Sequence, residues 1–122
     1  MKKMTLIAGS FLLFLVFSAC SKHRARKLAG TYHCQVNYGF YSMGQGAKDS
    51  TYFEDVTVTR KGKELSVMKA TFDVEKVENG KTFQIGTPDN SMSVVFKEDS
   101  LIIWRRFGGL GSSTTLLFRG TK

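Results

Sequence analysis

Through residues 28–122 an alternation of apolar and polar residues with a period of two recurs, and no 3.6-residue pattern persists there. A period of two sends successive side chains to opposite faces of a pleated strand, so such a chain folds as half-buried strands. The first predicted strand, Gly30 to Tyr41, sets Tyr32, Cys34, Val36, Tyr38 and Phe40 against Thr31, His33, Gln35 and Asn37. A polar loop over Ser42 to Ser50 leads to a second strand, Thr51 to Arg60, with Val56 and Val58 inward, closed by Lys61-Gly62-Lys63. A third begins at Glu64 with Leu65 and Val67 inward. It then shifts phase to Met68, Ala70, Phe72 and Val74, which predicts a bulge or bend.

Glu78-Asn79-Gly80-Lys81 reads as a hairpin, because Asn-Gly accepts the two positive φ values of a type I′ turn, and a short strand Thr82 to Ile85 follows. Turn signals at residues 87–90, 97–99 and 108–111 then separate strands around Met92 to Phe96, Leu101 to Phe107 and Thr114 to Arg119. The expected fold class is all-β, an antiparallel up-and-down meander of about seven strands forming a small barrel or sandwich, which removes exposed strand edges.

The N-terminus follows another rule. Lys2 and Lys3 precede a stretch without charge from Met4 to Ser21, whose middle, Phe11 to Phe17, is uninterrupted apolar. This is the pattern of a secretory signal helix; as a membrane-crossing helix it is marginal, because Thr5, Gly9, Ser10 and Ser18 dilute a run that is already short. Phe17-Ser18-Ala19-Cys20 resembles the bacterial lipobox, whose cysteine receives a diacylglycerol thioether before the signal is cut. The resemblance implies lipidation at Cys20 and a membrane as partner through the N-terminal lipid; an ordinary secretory signal cut after Ala19 is the alternative. The chain thus divides into a signal peptide at 1–19, an acylated Cys with a basic spacer at 20–27, and a β domain at 28–122.

The formal charge of +8 needs the same division. Lys2 and Lys3 belong to the signal, and Lys22, Arg24, Arg26 and Lys27 lie beside the anchor, which leaves 28–122 at only +2. A near-neutral domain gives no reason to expect nucleic acid as partner. Basic residues next to a lipid anchor gain about 1 kcal/mol each near anionic head groups, so they read as a solvated spacer or as contact with the membrane surface or peptidoglycan.

Leu28-Ala29-Gly30-Thr31-Tyr32, a Gly-x-aromatic entering the first strand of a meander, resembles the opening of lipocalin-like (calycin) domains. The order of lipoprotein signal, basic spacer and small β domain is similar to many small lipoproteins of Gram-negative bacteria. That resemblance implies a lipid-anchored cell-envelope location, and a carrier of a small apolar ligand as one function. The basic run after Cys20 does not resemble the acidic export signal of surface-exposed lipoproteins, which points to the periplasmic face of an outer membrane.

Catalytic candidates are few. The only histidines are His23, in the spacer, and His33, on the polar face of the first strand. No His/Cys/carboxylate group has metal-ligand spacing, and Gly108-Gly109-Leu110-Gly111-Ser112-Ser113 fits neither a nucleophile elbow nor a phosphate loop. We therefore expect no enzyme, cofactor or metal, and a buried structural thiol at Cys34. With Cys20 acylated, Cys34 has no partner for a disulfide.

Two features point to binding. Six aromatics fall between residues 32 and 53, and Tyr32, Tyr38 and Phe40 among them either line a cup or fill the core. The C-terminal hairpin is apolar on both faces through Leu101-Ile102-Ile103-Trp104 and Leu116-Leu117-Phe118, so it is either covered within the chain or a contact surface. Trp104, with Arg105 and Arg106 beside it, has the composition of an interface anchor. The expected function is a lipid-anchored, non-enzymatic binding module for a protein or envelope component. A carrier, or an inhibitor of a lysozyme or protease, is the alternative.

Overall fold

The computed structural model describes residues 21–122. The expected signal peptide and Cys20 lie outside them. Eight strands follow in order: β1 (Gly30–Ser42), β2 (Gly46–Lys61), β3 (Glu64–Val67), β4 (Ala70–Asp73), β5 (Phe83–Thr87), β6 (Asn90–Lys97), β7 (Ser100–Gly109) and β8 (Ser112–Thr121). They form one antiparallel sheet in the order β4-β3-β2-β1-β8-β7-β6-β5, curled into a half-barrel. Every sequential pair is hydrogen-bonded except β4 and β5, and the first and last strands pair with each other. The architecture is the expected meander with one strand more, its ends joined and its seam in mid-chain.

The extra strand comes from the phase shift after Val67. Met68 and Lys69 take φ values of 48° and 72°, a two-residue turn with both positions left-handed. The hairpin pairs Leu65 with Phe72 and Val67 with Ala70, all four buried. The expected bulge is therefore a reversal, unmarked in sequence because neither turn residue is Gly or Asn.

Asn79 and Gly80 do have the positive φ values the Asn-Gly signal predicts, 57° and 74°. Yet they sit in a 3₁₀ turn, Glu78–Gly80, and not in a hairpin, since the strands on either side lie at opposite edges of the sheet. The supposed loop over 46–50 is the start of β2, paired residue for residue with β1 as far as Ser42↔Gly46. Its alternation is silent because both faces are exposed there.

The inner face carries the core. Tyr32, Val36, Leu65, Val94, Leu101 and Ile103 are all at most 1% exposed and pack in a single cluster, and Tyr32 meets Phe96 with ring centroids 6.0 Å apart. Closure of β1 on β8 depends on Gly120, because a Cβ there would lie 2.1 Å from the His33 carbonyl oxygen. At the seam the strand edges share no ladder, and Phe72 of β4 stacks on Phe83 of β5 with centroids 4.5 Å apart.

The basic segment expected as a spacer is helical over 21–28 and packs on the domain. Ala25 is fully buried, Arg24 pairs with Glu78, and the Lys122 ammonium donates to the carbonyls of Lys27 and Ala29. No helix among the described residues is long and apolar enough to cross a membrane.

Candidate functional site

The predicted site residues separate onto two faces. Alternation along β1 sends Tyr32, Tyr38 and Phe40 inward. Pairing through β8 sends Trp104 and Arg106 outward, while Arg105 between them turns in.

Tyr32 belongs to the core. Its hydroxyl donates to the Leu28 carbonyl at 2.7 Å. Burial, then the charge of Asp99, then that of Cys34 push its pKa up to about 12. Cys34 is 1% exposed, its thiol directed at the Tyr32 carbonyl, and burial followed by Asp55 and Glu54 pushes its pKa up, away from the reactive thiolate. Tyr38 and Phe40 lie further along the same face and are half-buried. His33 forms an open pair with Asp55, Nδ1 to Oδ1 2.7 Å, with both side chains mostly exposed. Such a pair adds little stability.

On the outer face, register aligns Ser93, Trp104, Leu117, Asn37 and Thr51 in one row across five strands. The adjoining row runs Ser91, Arg106, Thr115, Gly39 and Asp49, and on the other side lie Ile102, Arg119, Gln35 and Phe53. Trp104 is 45% exposed and Phe53 81%, with Leu117 and Ile102 half-buried.

A cleft of about 310 Å³ opens between Trp104 and Leu117 on one side and Asn37, Asp49 and Thr51 on the other. Gly39 is its floor; a Cβ there would stand 2.9 Å from Thr115 Oγ1 and close it. Thr51 Oγ1 donates to Asn37 Oδ1 at 3.4 Å. Arg106 lines a neighbouring cleft of about 320 Å³ with Tyr41, Asp89 and Ser112. An apolar shelf beside one amide, several hydroxyls and the carboxylates of Asp49 and Asp89 can desolvate a partner and orient it by hydrogen bonds.

Sequence reasoning missed Gly39, Asn37 and Asp49, whose adjacency to Trp104 depends on the pairing of β1 with β8. It grouped Arg105 with Trp104 and Arg106 as one contact surface, whereas Arg105 shares the inward parity of Leu101 and Ile103. Among the described residues no group of three His, Cys, Asp or Glu side chains could hold a metal ion. No protein-family model, curated protein or solved structure matches this chain.

Proposed function

We propose that the protein is a lipid-anchored, extracytoplasmic, non-enzymatic module that captures a protein or envelope component on the outer face of β1, β8 and β7. The observation that carries this reading is Trp104, 45% exposed beside half-buried Leu117 on the outside of a hairpin whose other face is core. A hairpin apolar on both sides, covered on one, leaves the second for a partner. Arg106, two pairs further along the ladder, supplies a charged donor at the rim.

The lipobox-like Phe17 to Cys20 and the basic residues at 22–27 support attachment to the periplasmic face of an outer membrane. Capture from detergent-solubilised envelope by the full-length chain, against Trp104→Ala and Arg106→Ala, tests the reading. A partner should be lost or strongly reduced with Trp104→Ala while the thermal transition is unchanged. Equal recovery by a folded Trp104→Ala variant would defeat it.

A further inference from the structure

The second site lies on the opposite face. Phe72 and Phe83 bridge the seam between β4 and β5 at one point. Counting on from that pair would set Ala70 opposite Ile85. There, instead of a ladder, is a cleft of about 270 Å³ lined by Met68, Lys69, Ala70, Ile85, Met92 and Arg105, among others.

Arg105 is the anomaly. Its inner-face row neighbours are Met92 and Leu116, its guanidinium lies 4.6 Å from the centre of the Phe107 ring, and its terminal nitrogen reaches only the Met68 sulfur, at 4.0 Å. Its Nε is buried with no hydrogen-bond partner, and among the described residues no carboxylate lies within 4.0 Å of the group. This part-buried guanidinium has no counter-charge, its Nε is orphaned, and its other partners are a thioether and a ring, so a strong acceptor in the cleft is what the group lacks. The cleft holds a second cation, Lys69, and no acidic residue lines it. Beside the cations Ile85 stands 49% exposed.

We propose that the open end of this seam binds an amphiphilic carboxylate, with Arg105 gripping the head group, Lys69 at the rim, and Met68, Met92 and Ile85 covering the chain. A guanidinium fork matches the two oxygens of a carboxylate. At about 30 Å³ for each water-sized unit, the cleft takes roughly nine heavy atoms, close to an eight-carbon acid. The site is independent of the outer face, since Trp104 and Arg105 point to opposite sides of β7.

The test is a titration of full-length protein in phosphatidylcholine nanodiscs, labelled with ¹³C at the methionine methyls, with sodium octanoate. The Met68 and Met92 methyls shift saturably, whereas Met43, at the tip of the β1–β2 hairpin, does not. Octanol and inorganic phosphate each need at least about tenfold higher concentration, because one lacks the charge and the other the chain. Arg105→Gln weakens octanoate at least about tenfold, and Lys69→Gln, in an exposed turn where folding is not at risk, weakens it severalfold. No saturable shift, equal binding of octanol or phosphate, or unchanged affinity in a folded Arg105→Gln variant with Lys69→Gln also unchanged, would overturn the proposal.

Discussion

If the half-barrel is held shut at its seam by side chains alone, the Phe72–Phe83 stack carries an energy that no neighbouring ladder replaces. The rings lie 4.5 Å apart at 27°, within the range of offset-stacked pairs, and such pairs contribute about 0.5–1.5 kcal/mol beyond burial. Replacing each ring by leucine keeps an apolar group in place and removes the stacking. Phe72→Leu and Phe83→Leu should each cost about 1–2 kcal/mol.

The double variant should then cost less than the sum of the singles by about 0.5–1.5 kcal/mol, the coupling of the pair. Equilibrium urea unfolding of the four proteins reads the cycle. Hydrogen exchange adds a spatial readout: β4 and β5 amides should exchange faster in the variants while those of β1 and β8, in the middle of the sheet, stay protected. A coupling within about 0.3 kcal/mol of zero, or a uniform rise in exchange, would refute closure by the stack.

Three further perturbations probe other parts of the account. Gly120→Ala puts a Cβ 2.1 Å from a backbone oxygen that cannot swing away, and should destabilise by at least about 1–3 kcal/mol in thermal denaturation; Gly44→Ala, with nothing within 4 Å, should be silent. Tyr32, with its folded pKa raised from 10.0 to about 12, holds its proton in the fold after the unfolded chain has lost it, so stability falls as pH rises from 10 to 12. The wild-type loss over that window should exceed that of Tyr32→Phe by about 2–3 kcal/mol, and parallel curves would contradict the assignment. Cys20→Ala should abolish incorporation of labelled fatty acid and release the protein from membranes; continued incorporation would remove the lipobox reading.

The inner face was legible wherever one side of a strand is core and the other wet. Tyr32, Cys34 and Val36 alternate with exposed residues, as do Val56 and Val58, and the structure buries all five. Legibility failed where that contrast disappears. The first half of β2 is wet on both sides, so its pairing with β1 rests on a ladder that no side-chain pattern records.

The Met68-Lys69 turn carries no turn residue. Its only trace is the change of phase, which a bulge would produce equally. In the C-terminal hairpin both parities are apolar, so alternation cannot tell which of Trp104 and Arg105 faces out. That is decided by register, with Leu117 and Leu116 opposite them. The seam had no local signature either, because it depends on β1 closing against a strand some eighty residues away.

The outer face around Trp104 is where the functional account stands most exposed. A benzophenone amino acid placed at position 104 of the full-length chain, and at Thr57 on the exposed outer side of β2 as control, can be irradiated in intact cells of the host. A discrete adduct with one envelope component is expected from position 104 and none from position 57. Adducts of equal yield from both positions, or none from position 104, would contradict it.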